Sequence, residues 1–175
     1  MALPKGVMER RLSRVRAIIF DVDGVLTDGT IYVLPDGSQA LAFYVRDGLG
    51  IRKALEAGLV VALASGRDVE AVRHRARDLG IPESDLILGR EDKLKAVEEW
   101  LKSRGIGWEE VIFVGDDELD LEAMRKAAVG VAVADASPEL KREADYITEA
   151  PGGRGAVREV VELVLRTKRE RGCSS

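Results

Sequence analysis

The chain has 175 residues, 46% of them hydrophobic and 33% charged, with a net charge of −4 from 27 basic and 31 acidic residues. That length favours one domain, residues 1–175, with a sizeable core, and the net acidity argues against a nucleic-acid binder. The single cysteine, Cys173, excludes an intrachain disulfide framework or a cysteine zinc site and fits a reducing cytoplasm. No segment has the apolar length of a signal peptide or a membrane span, so no membrane association is expected.

Residues 1–14 read as a polar tail carrying Arg10, Arg11 and Arg14, with Arg16 beside the first apolar run and a core beginning near residue 15. Ala17–Phe20 then reads as a strand buried on both faces. At its tip come Asp21 and Asp23, followed by Gly24, where the chain must turn. Thr30–Leu34, Pro35-Asp36-Gly37 and Leu41–Val45 predict a β-hairpin. A helix over 48–57 leads to a strand over Leu59–Ala64 and then to Ser65-Gly66-Arg67. The helix expected over 68–79 places Val69, Val72, Ala76 and Leu79 on one stripe and is stopped by Gly80 and Pro82. His74, among three arginines, belongs to its solvated face. A short strand at Leu86–Leu88 precedes a helix over 92–103, which Lys93 opens. Val111–Val114 is the next strand, and "GDDELD" comes after it, with Asp116, Asp117 and Asp120. Then come a helix over 118–127, a strand over Val129–Ala134, a helix over 137–143 and a weak strand at Tyr146–Ile147. Gly152-Gly153-Arg154-Gly155 reads as the most flexible internal stretch, before a helix over 155–168. Arg166, Lys168, Arg169 and Arg171 read as a second solvated tail. Strand–helix alternation implies an α/β fold, a doubly wound parallel sheet with right-handed crossovers.

In such sheets ligands bind beyond the carboxyl ends of the strands. Carboxylates, a hydroxyl and a lysine stand just past the apolar runs. Two carboxylates two residues apart raise each other's pKa or call for a cation between them. Oxygen-rich sites of this kind suit Mg²⁺. Each residue type has a task in phosphoryl transfer. One carboxylate attacks phosphorus, a second moves the proton, and a third helps hold the metal. A hydroxyl near a helix start binds phosphate, and a lysine offsets the anionic charge. Singly, Ser65 could be a helix N-cap and Lys93 a surface lysine; their order after successive strands carries the reading.

These residues resemble the four motifs of the haloacid dehalogenase superfamily of phosphatases: "DVDGV", the serine of "ASGR", the lysine of "EDKLKA", and "GDDELD". Carried over by position, the resemblance implies Asp21 as nucleophile and Asp23 as general acid/base. It implies Mg²⁺ held by Asp21, the Asp23 backbone carbonyl and Asp116, with Asp117 and Asp120 in support. Ser65 and Lys93 become the phosphate-binding pair. Over residues 15–165 the chain is also similar to the 3-deoxy-D-manno-octulosonate 8-phosphate phosphatase family, through "DVDGVLTDG", "VRDGLGIRKAL", "RARDLGI", "GDDELDLEAM" and "GGRGAVRE". Ser65 stands where that family usually has threonine. Arg67, expected to begin the helix beside the phosphate site, stands where phosphatases of nine-carbon sialic-type sugar acids have glutamate. It favours the eight-carbon substrate. The segments between motifs leave no room for an inserted cap domain. The family resemblance implies a cytoplasmic homotetramer in which hairpins meet and neighbouring subunits close each site, the Gly152–Gly155 segment and the C-terminal tail contributing. Other readings keep part of the pattern: a phosphatase of nine-carbon sugar-acid phosphates, a protein phosphatase, a phosphoacceptor domain, or a non-catalytic subunit.

Overall fold

The computed structural model describes residues 4–90 and 92–172, with the side chains of 171 and 172 excepted. Cys173 and the residues after it lie outside the described part, as do the expectations placed on them. In chain order the elements are α1 (Lys5–Arg14), β1 (Ala17–Asp21), β2 (Tyr32–Val33), β3 (Gln39–Ala40), α2 (Val45–Glu56), β4 (Val60–Ser65), α3 (Glu70–Leu79), β5 (Leu86–Leu88), α4 (Lys93–Arg104), β6 (Val111–Gly115), α5 (Leu121–Lys126), β7 (Val129–Ala132), α6 (Pro138–Glu143), β8 (Tyr146–Ile147) and α7 (Ala156–Gly172).

Six strands form one parallel sheet in the order β5-β4-β1-β6-β7-β8. The chain builds outward from β1 through β4 to β5, then returns to the other side of β1 at β6. The strand order therefore reverses between β1 and β6, and a crevice opens there at the carboxyl ends of both. β1 and β6 are buried along their whole length. Their unbroken apolar runs, Ala17–Phe20 and Val111–Val114, are what a strand covered on both faces requires. Among the described residues no helix is long and apolar enough to cross a membrane.

The structure corrects the reading of both basic ends. Residues 5–14 are a helix, not a solvated tail: Leu12 is buried and α1 packs on α7. Arg11 Nη1 donates to the Ala128 carbonyl at 2.8 Å, and Arg16 pairs with Glu110 at 3.2 Å. Arg166, Lys168 and Arg169 lie on α7, where Lys168 Nζ donates to the Ser13 carbonyl at 3.1 Å. The arginines project outward while the apolar stripe beneath them packs. The hairpin is present but short, and its return strand is Gln39–Ala40 rather than the expected Leu41–Val45. Its ladder holds two residues per strand, and Val45 already belongs to α2. Ile31, Tyr32, Val33 and Leu34 are exposed, so no layer beneath them extends the pairing.

The Gly152–Gly155 segment is also unlike its sequence reading. Gly152 and Gly153 are buried. A Cβ on Gly152 would stand 1.7 Å from the Gly24 carbonyl oxygen, and the Gly153 N–H donates to the Val25 carbonyl at 2.9 Å. These glycines let one backbone lie directly on another, bracing the loop that leaves β1.

Candidate active site

Three strand ends and one helix start meet at the crevice. β1 ends in Asp21, β4 in Ser65, and β6 delivers Asp116 one residue past its end. Lys93 is the first residue of α4, whose N-cap Asp92 accepts from the Lys95 N–H at 2.9 Å. After Asp21 the backbone turns at Gly24 (φ 94°). A Cβ at Gly24 would fall 2.0 Å from Asp116 Oδ2, so the absent side chain is what lets the β1 loop approach Asp116.

Asp21, Asp116 and Asp120 each present a carboxylate oxygen, all within 4.8 Å of one another. Lys93 Nζ stands between two of them, 2.5 Å from Asp21 Oδ1 and 2.5 Å from Asp120 Oδ1. Asp120 is nearly fully buried and also accepts from the Asp116 N–H at 3.0 Å through Oδ2. It thus ties the loop after β6 to the lysine of α4. Burial raises the Asp21 carboxyl well above its ordinary range, and the neighbouring Asp120 charge raises it further, with Lys93 opposing both. Burial, together with the charges of Asp120 and Asp117, pushes Asp116 up to about 7. Burial alone would depress the Lys93 ammonium; the carboxylates of Asp21 and Asp120 overcome it and hold the lysine charged.

Three carboxylates against one ammonium leave a concentrated negative charge in a buried place. The donor set is oxygen only, which fits a hard divalent cation such as Mg²⁺. Asp120, expected only in support, stands inside this group. Asp117 does not: it is exposed, and its Oδ1 accepts from the Glu118 N–H at 2.8 Å. The Asp23 side chain is also outside it, turned toward β4.

There a second cluster forms. Ser65 Oγ donates to Asp23 Oδ2 at 3.2 Å, and Arg67 Nη1 donates to Asp23 Oδ1 at 2.6 Å. The Arg67 N–H donates to Ser65 Oγ at 3.0 Å. α3 starts only at Glu70, after Val69 as N-cap, so Ser65 caps no helix and Arg67 begins none. Ser65 closes β4 and Arg67 lies in the turn that leads to α3, with the Ser65 hydroxyl folded onto that turn and onto Asp23.

Two residues that the sequence reading passed over complete the surroundings. Gln39 of β3 accepts from Arg67 Nη2 through Oε1; an exposed glutamine in a hairpin gives no signal of this. Buried Asp47 of α2 accepts from the Gly155 N–H at 3.1 Å and the Arg158 N–H at 2.8 Å, holding the first turn of α7. The signal was present as a lone acid inside an otherwise basic and apolar helix sequence, "VRDGLGIRKAL".

Comparison with known proteins agrees with this arrangement. A family model described as haloacid dehalogenase-like hydrolase matches residues 84–159. The chain is 46% identical over 155 residues to a 3-deoxy-D-manno-octulosonate 8-phosphate phosphatase of Escherichia coli, covering 89% of this chain and 81% of that protein. The crystal structure of the Yersinia pestis phosphatase of the same name superposes with a TM-score of 0.90 at 41% identity, over 94% of this chain and 88% of that one. The Moraxella catarrhalis phosphatase, solved with magnesium ion, phosphate ion and KDO, gives 0.91 at 37% identity, over 95% of each chain. With its motifs at the strand ends of the same sheet, the chain belongs to the 3-deoxy-D-manno-octulosonate 8-phosphate phosphatase family of haloacid dehalogenase-like hydrolases.

Proposed function

We propose that this protein hydrolyses 3-deoxy-D-manno-octulosonate 8-phosphate to the free sugar acid and phosphate, through a covalent phosphate on Asp21. The observation that carries the reading is the buried Asp21–Lys93–Asp120 bridge beside Asp116, at the point where the strand order reverses. In this reading an Asp21 oxygen attacks phosphorus as the bond to the sugar oxygen breaks. Asp23 gives the leaving alkoxide a proton, then takes one from the water that attacks the aspartyl-phosphate. That second attack releases phosphate and restores Asp21. Ser65 and Lys93 contact the phosphoryl oxygens, and Lys93 keeps the carboxylate cluster from repelling its substrate.

Asp21, Asp116 and the Asp23 carbonyl, with Asp120 in support, would hold Mg²⁺. Bound there, the ion supplies positive charge against the phosphoryl oxygens. Arg67 sets specificity, because a guanidinium at the rim offers paired donors to the carboxylate of a sugar acid. The exposed hairpin residues Tyr32 and Val33 form the association surface of a homotetramer, in which neighbours cover a site that has no cap of its own. A cytoplasmic location accords with the single cysteine.

The test is a panel of phosphate esters assayed with Mg²⁺: the eight-carbon sugar-acid phosphate, its nine-carbon sialic-type counterpart, a simple hexose phosphate and a phosphopeptide. The eight-carbon ester should have the highest kcat/KM. Preference for the nine-carbon ester or the phosphopeptide overturns the substrate assignment.

A further inference from the structure

Arg67 is held from two sides. Nη1 donates to Asp23 Oδ1, inside the site, while Nη2 donates to Gln39 Oε1, on the hairpin. A guanidinium is a rigid planar fork, so a single acceptor leaves it free to pivot, whereas acceptors on both arms fix its plane. The position of Gln39 is itself built. It pairs across the ladder with Val33. The turn before it is closed by Leu34 N–H to the Ser38 carbonyl and Gly37 N–H to the Leu34 carbonyl, both 2.9 Å. Asp36 Oδ1 further accepts from the Ser38 N–H at 2.9 Å and from Ser38 Oγ at 2.6 Å. Gln39 and Arg67 also line the same open cleft, of 530 Å³, between the hairpin turn and the start of α3.

We infer that Gln39 is a positioning residue for substrate recognition: it holds the Arg67 guanidinium across this cleft, so that the anionic sugar acid meets donors already oriented. This rests on the sugar-acid phosphatase reading above. Gln39 touches no reacting atom and acts only through Arg67. As a neutral acceptor it orients the guanidinium without adding a second negative charge to the Asp23 carboxylate already paired with it. The hairpin is therefore part of the recognition apparatus as well as an association surface.

The test combines a double-mutant cycle with a measurement that needs no substrate. Gln39→Ala should raise KM for the octulosonate phosphate about tenfold, the cost of ordering one long side chain on binding, with kcat within about twofold. In an Arg67→Ala background the same substitution should change KM no further. In the free protein, ¹⁵N relaxation of the Arg67 Nε–H should show a lower order parameter in Gln39→Ala, and Gln39→Glu, which keeps the acceptor, should restore it. An equal rise in KM with and without Arg67 would assign Gln39 a merely structural role in the hairpin and overturn the inference. An unchanged Arg67 order parameter overturns it too, whatever the substrate proves to be. If wild-type protein fails to turn over the octulosonate phosphate, the substrate reading falls, and the relaxation measurement still decides the role of Gln39.

Discussion

Gly24→Ala is the sharpest test of how the site is assembled. The new Cβ would lie 2.0 Å from Asp116 Oδ2 and 2.5 Å from its Cγ, against 3.4 Å for the nearest ordinary contact. Either the carboxylate retreats by more than 1 Å or the β1 loop backs away; the Gly24 carbonyl is already pressed against Gly152, which favours movement of Asp116. Alanine at φ 94° adds a backbone cost of about 1–2 kcal/mol. That is a fraction of a typical domain stability of about 5–15 kcal/mol, so the variant should fold, with Tm lowered by about 2–8 °C. A misplacement of ~1 Å at a reacting centre costs about a hundredfold in rate. Steady-state kinetics under Mg²⁺ titration, with a thermal melt on the same sample, should show kcat down by about that factor and a higher Mg²⁺ requirement. Gly37→Ala supplies the control: its φ is also positive, at 81°, but nothing lies within 4 Å of the added Cβ. It should show the backbone cost without the loss of rate. Gly24→Ala with wild-type kcat and an unchanged Mg²⁺ requirement would refute the close approach of the β1 loop to Asp116 as the organising contact.

Asp21→Asn removes the oxygen proposed to attack phosphorus and should abolish turnover of a purified, folded sample; near-normal activity, with contamination excluded, rules out the nucleophile assignment. Chelation should silence the enzyme and Mg²⁺ should restore it, because the donors at the site are carboxylate oxygens; full activity of metal-free protein excludes the metal reading. Asp47→Ala strips two half-buried N–H groups at the start of α7 of their acceptor and should cost about 2 kcal/mol, or about 4–8 °C in Tm. An unchanged melt would show that the carboxylate is not the cap it resembles. Sedimentation at micromolar concentration should find wild-type protein larger than a monomer, and Tyr32→Lys with Val33→Lys shifted toward one; a fully active wild-type monomer defeats the hairpin interface.

The inner strands β1, β4, β6 and β7 were legible because they are covered on both faces and so are written as apolar runs, whereas the half-covered edge strand β8 gave only a weak signal. The ends of the inner strands were not. Pairing continues one residue past the apolar run into Asp21, Ser65 and Gly115, because a strand whose tip is buried in a site carries polar residues on the ladder itself. α1 was illegible for a related reason. Its packing depends mainly on Leu12, it has no side-chain cap and no acid in its first turn, and its arginines dominate the pattern. The glycines of 152–155 were misread because composition cannot separate a glycine that frees a chain from one that admits a neighbouring backbone. Only the Gly24 carbonyl against Gly152 decides that.

The residues of the candidate site divide along the same line. Asp21, Asp23, Ser65, Lys93 and Asp116 could be found in sequence because each comes after an apolar run or opens a helix, so chain position alone put them at one edge of the sheet. What position could not give was their partition. Lys93 bridges Asp21 and Asp120 within hydrogen-bond distance, leaving Asp116 as the carboxylate of that group with no ammonium on it. Asp23, two residues on and past the end of β1 where the chain turns, is satisfied by Ser65 and Arg67 instead. Two neighbouring aspartates thus enter different electrostatic surroundings, one buried against a lysine and one half-exposed against a hydroxyl and a guanidinium. The proposed roles of nucleophile for Asp21 and proton carrier for Asp23 require such a difference, since identical side chains must then do different work in a single turnover. That division depends on Ser65, at the end of β4, reaching Asp23 while Lys93, at the start of α4, reaches Asp21.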